Sequence, residues 1–196
     1  MDKDQSRAHW LKHFQDHQSV TEKTMTLLAD DFDSVVESCV HAIKSNKKIL
    51  FIGNGGSASD AQHLATELSV RYIKDRPAIA AIALTTDTST LTAAGNDLGF
   101  EHIFSRQIEA IGNDGDILIA ISTSGKSPNI LNAINRAKEK NIITIGFSGR
   151  DGGGMPALCD HMLIIPSDVT AHIQEMHITI GHVLCGQIEQ KLGFDV

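Results

Sequence analysis

The chain has 196 residues, of which 41% are apolar and 21% charged, and its formal net charge is −7. This composition is typical of a globular domain and predicts a sizeable core. The acidic balance argues against nucleic-acid binding, which needs a basic surface. No apolar run approaches the roughly 20 residues of a membrane helix, and the polar first residues do not form a signal peptide. We therefore expect a cytoplasmic protein with neither nucleic-acid nor membrane partners.

The N-terminal part predicts two helices, at about Gln5–Lys23 and about Asp31–Ser45, the second with an apolar stripe at helical spacing. We expect residues 1–46 to form a helical region that packs on the core or on a neighbouring subunit. On the first helix, three histidines recur every four residues (His9, His13 and His17). That spacing suits a metal site, although a solvated stripe of histidines is the interpretation that we favour.

From residue 47 onward, apolar runs alternate with helical patterns, which predicts βαβ units and one parallel sheet with helices on both faces. The predicted strands are Ile49–Ile52, Ile79–Leu84, Ile117–Ile121, Ile142–Phe147 and Met162–Ile165. The predicted helices are Ala58–Val70, Ser89–Ala94, Glu101–Ile111, Pro128–Lys140, a short one near Pro156–Leu158 and a long one at about Ala171–Leu192. We expect residues 47–196 to form one compact domain. Cys39, Cys159 and Cys185 lack a C-x-x-C pair and predict buried free thiols rather than disulfides.

Small, hydroxyl-rich and glycine-rich segments follow the predicted strands, and in a parallel sheet such segments gather at one edge, where ligands bind. The first is GNGGS at 53–57 and the third is STSGKS at 122–127, directly before Pro128. A loop of hydroxyls at a helix N-terminus suits a phosphate group, although an ordinary N-capping turn is the alternative. STSGKS does not have the spacing of a Walker loop, and GNGGS does not have that of a dinucleotide fingerprint, so we expect no nicotinamide cofactor.

Two helices carry side chains suited to chemistry. His63 and Glu67 are four residues apart and share one helix face, while Gln174, His177 and His182 lie on the apolar last helix. Imidazole, carboxylate and amide groups suit Zn²⁺, and a carboxylate with a histidine suits proton transfer beside a carbonyl. A hydrogen-bonded pair on a helix face and buried polar groups satisfied by neighbours are the plain alternatives.

Four segments together resemble the phosphoheptose isomerase family, which has the SIS (sugar isomerase) fold: GNGGSASDAQHLATEL, the block AIALTTDTSTLTAAGNDLGFEHIFSRQIEAIG, DILIAISTSGKSPNI and IQEMHITIGH. The resemblance covers nearly the whole chain from about residue 25. It implies a flavodoxin-like three-layer α/β sandwich with a five-stranded parallel sheet, and a homotetramer with active sites shared between subunits. It also implies interconversion of sedoheptulose 7-phosphate and D-glycero-D-manno-heptose 7-phosphate, the first step of ADP-heptose supply for lipopolysaccharide.

The resemblance also implies roles for particular residues. One Zn²⁺ per subunit would be bound by His63, Glu67, Gln174 and His182, and Glu67 and His182 would be the acid/base pair. Substrate contacts would come from Asn54, Gly55, Gly56, Glu67, Arg71, Asn96, Asp97, Ser122, Thr123, Ser124, Ser127 and Gln174. This chain has His172 where the family often has arginine, which leaves the role of that position open.

Glu67 bears on two open questions. As a zinc ligand it would be a weaker base, so either the carboxylate changes roles or the metal mainly organises the site. The alternative function is a non-catalytic SIS-domain protein that associates with a replication initiator, a group that lacks the glutamate four residues after the helix histidine. This chain keeps Glu67, which favours an enzyme.

Overall fold

The computed structural model describes residues 3–194, in which helices and strands alternate after two N-terminal helices. The strands are β1 Ile49–Gly53, β2 Ala81–Ala83, β3 Ile117–Ile121, β4 Ile143–Gly149 and β5 His161–Ile165. The helices are α1 Lys3–Leu27, α2 Ala29–Lys44, α3 Gly56–Ser69, α4 Thr88–Asp97, α5 Ser105–Ile111, α6 Pro128–Glu139 and α7 Thr170–Lys191, with a 3-10 turn at Phe100–His102.

The five strands form one parallel sheet in the order β2-β1-β3-β4-β5. Strands β1 and β3 are buried along their whole length, as their unbroken apolar runs predict. The chain order reverses between β1 and β3, and a crevice for ligands opens at such a point, beyond the carboxyl ends of the strands. The segments GNGGS and STSGKS border this crevice, because they follow β1 and β3.

The core lies on both faces of the sheet. On β1, Ile49 and Phe51 pack with α2, α3 and α7, whereas Leu50 and Ile52 pack with α4, α5 and α6. Helix α1 lies outermost, against α2 and α7. The predicted three-layer α/β sandwich with additional N-terminal helices is therefore confirmed, while the division at residues 46 and 47 stays a prediction.

The structure corrects two local predictions. There is no helix near Pro156–Leu158, where residues 151–158 form turns instead. The N–H groups of Leu158 and Cys159 both donate to Met155 O, but the next N–H, that of Asp160, donates to Thr144 O of β4, so the turn does not continue as a helix. Strand β2 is shorter than predicted, because the backbone N–H of Ile79 donates to Leu68 O at the end of α3 rather than to the sheet.

The cysteines agree with the prediction of free thiols. Cys39 and Cys185 are buried and Cys159 is half-buried, and burial raises the pKa of each thiol to about 12. Within residues 3–194, no helix is both long and apolar enough to cross a lipid bilayer.

Candidate active site between α3 and α7

A tight glycine turn connects β1 to the start of α3. A Cβ atom on Gly53 would collide with the backbone of Ser57, and Gly55 has a φ of 57°, which favours glycine. This turn lets α3 begin within three residues of the strand end. The positive end of the α3 dipole therefore lies at this edge of the sheet, an arrangement that favours anions.

Three of the predicted metal ligands converge on the outer faces of α3 and α7. The Nε2 atoms of His63 and His182 are 2.7 Å apart, and His63 Nε2 lies 3.3 Å from Glu67 Oε1. The ring of Tyr72 stacks on His182, with ring centroids 5.7 Å apart and planes at 22°. The side chain of His63 is 47% exposed and that of Glu67 is 18% exposed, so the group is open to a ligand from solvent.

The donor set of His63, Glu67 and His182 fits a zinc ion. Two imidazole nitrogens and a carboxylate oxygen within 4.8 Å of one another are the ligand types that zinc prefers. Tetrahedral zinc with bonds of about 2.0–2.1 Å needs neighbouring ligand atoms about 3.3 Å apart. The 2.7 Å separation of the two Nε2 atoms would have to widen by roughly 0.6 Å, which small side-chain rotations supply.

Packing between α3 and α7 sets the distance between these groups. Gly181 lies opposite Leu64, and a Cβ atom at Gly181 would be 2.6 Å from both Leu64 methyl carbons. The glycine therefore lets the two helices approach closely one residue before His182. Leu64 is buried one residue after His63, so the same contact positions both histidines.

A buried ion pair fixes the end of α3. The Nε of Arg76 donates to Glu189 Oε1 of α7 at 2.7 Å, and both side chains are almost completely buried. The same guanidinium donates to the carbonyl oxygens of Leu68 and Glu67. Carbonyl groups in the last turn of a helix have no N–H partner within the helix, so Arg76 supplies one. Sequence reasoning missed Arg76, because its partner Glu189 is 113 residues away in the chain.

Gln174 lies apart from the other three predicted metal ligands in this chain. A Cβ atom on Gly56 would be 2.7 Å from Gln174 Nε2, so this side chain covers the first turn of α3. Gln174 and His182 are eight residues apart on α7, a separation of about 12 Å along the helix axis. A single chain therefore brings together His63, Glu67 and His182, and places Gln174 about two helical turns away.

Asp60 is a further acidic group at this site, and sequence reasoning also missed it. It lies one turn before His63 on α3, and its Oδ2 atom is buried without a hydrogen-bond partner among residues 3–194. Burial raises the pKa of Asp60, and the nearby His63 and His182 partly counteract this. The i, i+3 spacing of Asp60 and His63 could have indicated it, but the burial of Asp60 depends on tertiary packing.

The loop after β3 is held in an open turn. Gly125 N donates to Ser122 Oγ at 3.2 Å, and Lys126 N donates to Ser124 Oγ at 3.3 Å. The side chain of Ser127 occupies the N-cap position of α6 but makes no capping hydrogen bond. Thr123 is half-buried in the same turn. The capping interpretation therefore does not explain Ser127, whose hydroxyl group is left for another partner.

Glycines join this loop to the one after β4. The N–H of Gly154 donates to Gly125 O at 2.9 Å, and Gly125 has a φ of 61° with no space for a Cβ atom beside Gly152. Asn54 and Asn129 add a link across the crevice, because their side-chain amides exchange two hydrogen bonds of 2.9 and 2.8 Å. The amide of Asn54 thus holds the loop after β1 against the first turn of α6.

Other predicted substrate contacts lie elsewhere on the surface of the chain. Asn96 and Asp97 are exposed at the end of α4, where Asn96 Nδ2 donates to Asp97 Oδ1 at 2.7 Å. Asp97 lines a groove with Arg106, whereas His182 lines a different one with Tyr72. Arg71 is exposed in the segment directly after α3. One chain therefore does not bring Asn96 and Asp97 to the cluster of His63, Glu67 and His182.

The N-terminal histidines correct the expectation of a solvated stripe. His9 is exposed, but His13 and His17 are half-buried and both form hydrogen bonds with Glu175 of α7. His177 is a core residue, since it is fully buried and its Nε2 lies 3.0 Å from the carbonyl oxygen of Ser148. The interpretation of His177 as a buried polar group satisfied by a neighbour is therefore confirmed for this nitrogen.

Comparisons with known proteins agree with this fold. The family model of the SIS domain matches residues 12–149, so the chain belongs to the SIS domain family. It is 56% identical to phosphoheptose isomerase 1 of Campylobacter jejuni subsp. jejuni serotype O:2. The aligned 180 residues cover 92% of this chain and 96% of the relative. It is 55% identical over 174 residues to a phosphoheptose isomerase of Paramagnetospirillum magneticum, with 89% of this chain and 91% of the relative covered.

Solved structures show the same relationship. Phosphoheptose isomerase GmhA from Neisseria gonorrhoeae superposes with a TM-score of 0.89 at 40% identity, over 94% of this chain and 98% of that one. A phosphoheptose isomerase from Francisella tularensis gives a TM-score of 0.92 at 37% identity, over the same shares of both chains. The resemblance found in the sequence is thereby confirmed, and the enzyme class is that of a sugar-phosphate isomerase of the phosphoheptose isomerase type.

Proposed function

We propose that this isomerase interconverts sedoheptulose 7-phosphate and D-glycero-D-manno-heptose 7-phosphate, the first step of ADP-heptose supply for lipopolysaccharide. The observation that carries the proposal is the convergence of His63, Glu67 and His182 from two distant helices. Relatives that are 55–56% identical are named phosphoheptose isomerases, which supports this substrate class. The serine-rich loop of residues 122–127 would bind the phosphate group.

In the proposed reaction, a proton moves between C1 and C2 of the sugar through an enediol. Glu67 would take the proton from C1 of the ketose and return it to C2, which produces the aldose. His182 would move a proton between the two sugar oxygens, so that the carbonyl group at C2 becomes a hydroxyl while the hydroxyl at C1 becomes a carbonyl. Tyr72 holds the imidazole of His182 in place by stacking on it.

His63, Glu67 and His182 would hold Zn²⁺, with Gln174 as the fourth predicted ligand. Bound there, the ion would polarise the carbonyl group and stabilise negative charge on the enediolate oxygen. The proton transfers themselves are assigned to Glu67 and His182 and not to the metal ion.

We also propose a homotetramer in which a neighbouring subunit completes each site. Gln174, Asn96 and Asp97 of one chain lie away from its own His63, Glu67 and His182, so a second copy is needed to supply them. Large apolar side chains on α1 are exposed in the single chain, which suits an interface: Trp10 is 64% exposed and Phe14 is 54% exposed.

The reaction is tested by incubating the purified protein with sedoheptulose 7-phosphate and following the aldose product by NMR. We expect conversion, loss of activity after treatment with a chelator, and recovery when Zn²⁺ is restored. Unphosphorylated sedoheptulose is the matched control and should react far more slowly. Absence of conversion in the presence of Zn²⁺ would contradict the proposed reaction and would favour the non-catalytic binding protein.

Shared sites are tested by co-expressing two inactive variants, Glu67→Gln and Gln174→Ala. If a site takes Glu67 from one subunit and Gln174 from another, mixed oligomers contain some sites with both native residues. We then expect partial activity in the mixture and none in either variant alone. An inactive mixture whose mixed assembly is verified by native mass spectrometry would refute sharing of these two residues.

A further inference from the structure

A second cluster of metal-ligating side chains lies between α1 and the first turns of α7. Its centre is the carboxylate of Glu175, which accepts hydrogen bonds from three imidazole rings. The distances are 2.8 Å from His13 Nε2 to Oε1, 2.8 Å from His17 Nδ1 to Oε2, and 2.9 Å from His172 Nδ1 to Oε2. We call these four residues the α1–α7 histidine cluster.

The spacing on each helix brings these side chains together. His13 and His17 are four residues apart on α1, and His172 and Glu175 are three residues apart on α7, so each pair shares one helix face. The rings of His13 and His172 are in contact, with centroids 4.5 Å apart. The cluster is therefore built from two half-sites that meet only when α1 packs on α7.

The cluster is partly shielded from solvent. The side chain of His172 is only 5% exposed, and those of His13, His17 and Glu175 are between 34% and 39% exposed. The Glu175 carboxylate has three imidazole nitrogens within hydrogen-bond distance. A metal ion bound there would displace the protons of these hydrogen bonds, because metal ligands are deprotonated.

We propose that His13, His172 and Glu175 bind a divalent transition-metal ion such as Zn²⁺, at a site separate from the candidate active site. One nitrogen of each imidazole and one carboxylate oxygen lie within 4.8 Å of one another, and this donor set suits zinc, nickel or copper. The present contacts of 2.8–2.9 Å would widen by about 0.5 Å around a tetrahedral ion. His17 or a water molecule would complete the coordination.

The ion would stabilise the packing of α1 on the rest of the molecule. Among the described residues of α1, only Val20 and Thr24 are buried, so apolar packing attaches this helix weakly. A metal that joins His13 to His172 adds a link near the middle of the helix, on the N-terminal side of Val20. Glu175 precedes His182 by seven residues on α7, about 10 Å along the axis, so the two metal sites are separate, and this proposal does not rest on the proposed reaction.

The test uses the full chain with both His63 and His182 replaced by alanine, which removes the candidate active-site metal. The metal-free protein is titrated with Zn²⁺ in a calorimeter and with Co²⁺ by absorption spectroscopy. We expect one ion per chain, a d–d spectrum with nitrogen ligands and a higher Tm with metal. Adding His13→Ala should abolish all three effects, whereas His9→Ala on the exposed part of the same helix should leave them unchanged.

His172→Arg provides the conservative variant. Arginine supplies a hydrogen-bond donor for Glu175 but has no lone pair to offer a metal. We therefore expect a folded protein by circular dichroism that binds no ion in the doubly substituted background. The proposal is overturned if the chain with His63→Ala and His182→Ala binds no metal. It is also overturned if this chain still binds metal after His13→Ala or His172→Arg is added. In either case the cluster is only a hydrogen-bonded contact between α1 and α7.

Discussion

At the scale of single residues, the molecule distinguishes polar groups that serve the fold from those that are open to ligands. His177 belongs to the fold, since it is buried beside Phe147 and bonded to the Ser148 carbonyl. His63 lies on a similar apolar background but is 47% exposed and faces another imidazole. Residue type and spacing alone do not separate these two cases, because the difference lies in which helix face packs on the sheet.

His177 predicts an acid-sensitive fold. Burial lowers its pKa to about 4 from 6.5, although the bond to the Ser148 carbonyl opposes this. Between these values the unfolded chain binds a proton that the folded chain does not. Stability should therefore be unaffected by this residue above pH 6.5 and fall as the pH drops from 6.5 to 4, by an amount on the order of 2–3 kcal/mol.

The variant His177→Gln keeps an N–H donor for Ser148 but does not titrate. Denaturant unfolding at pH 7 and at pH 4.5 should show a smaller loss of unfolding free energy in this variant than in the native chain. His9→Gln, on the exposed part of α1, is the control and should behave like the native chain. Equal losses in His177→Gln and the native chain would contradict the prediction.

At the scale of elements, the contact between α3 and α7 determines whether the site exists. The strands follow from their apolar runs, and the loops after β1 and β3 follow from the parallel sheet, so both were predictable. The register of α3 on α7 depends on a close approach at Gly181 and on the Arg76–Glu189 pair. These contacts join residues more than 100 positions apart, and local periodicity contains no information about them.

Gly181→Ala tests this contact. The added methyl group would meet the buried Leu64 side chain at 2.6 Å and push the helices apart. We expect a loss of about 1–3 kcal/mol in unfolding free energy and a lower turnover, because His63 and His182 would separate. Adding Leu64→Val to Gly181→Ala should restore part of the unfolding free energy and of the turnover, since valine is smaller than the leucine that the new methyl group would meet.

Gly186→Ala on the same helix is the matched control. Its methyl group would lie 3.3 Å from the edge of the Tyr72 ring, which can tilt away. Alanine also favours a helix over glycine by roughly 0.5–1 kcal/mol. A Gly181→Ala variant as stable as Gly186→Ala would show that close packing at this point is unnecessary. Turnover of Gly181→Ala is compared with the native chain, because the Tyr72 ring beside Gly186 stacks on His182.

At the scale of the whole molecule, the sheet and its two helical layers exclude solvent from the thiols. Because burial raises the thiol pKa values to about 12, thiolate is scarce at pH 8. We expect a thiol reagent to label the native chain slowly, with half-buried Cys159 reacting first. After unfolding, all three cysteines should react rapidly. Cys159→Ser should leave two slow thiols. Rapid reaction of Cys39 or Cys185 would mean that the core opens readily.

The whole molecule also explains why the sequence predicted the α/β class better than the site. Residues 63 and 67 are adjacent on one helix, so their pairing follows from spacing. Asp60, Tyr72 and Arg76 acquire their positions only from tertiary packing. The same holds for His13 and His17, whose burial depends on α7. The proposed completion of the site by a second copy of the chain lies one level further from local sequence.

The central claim is that Glu67, brought to His182 by the packing of α3 on α7, transfers the proton between C1 and C2. Its most direct measurement is the turnover of sedoheptulose 7-phosphate by Glu67→Gln, with solvent deuterium incorporation at C1 and C2 followed by NMR. We predict that turnover and deuterium incorporation both fall by about 10²–10⁴-fold, while circular dichroism is unchanged. Native rates of turnover and exchange in this variant would contradict the claim.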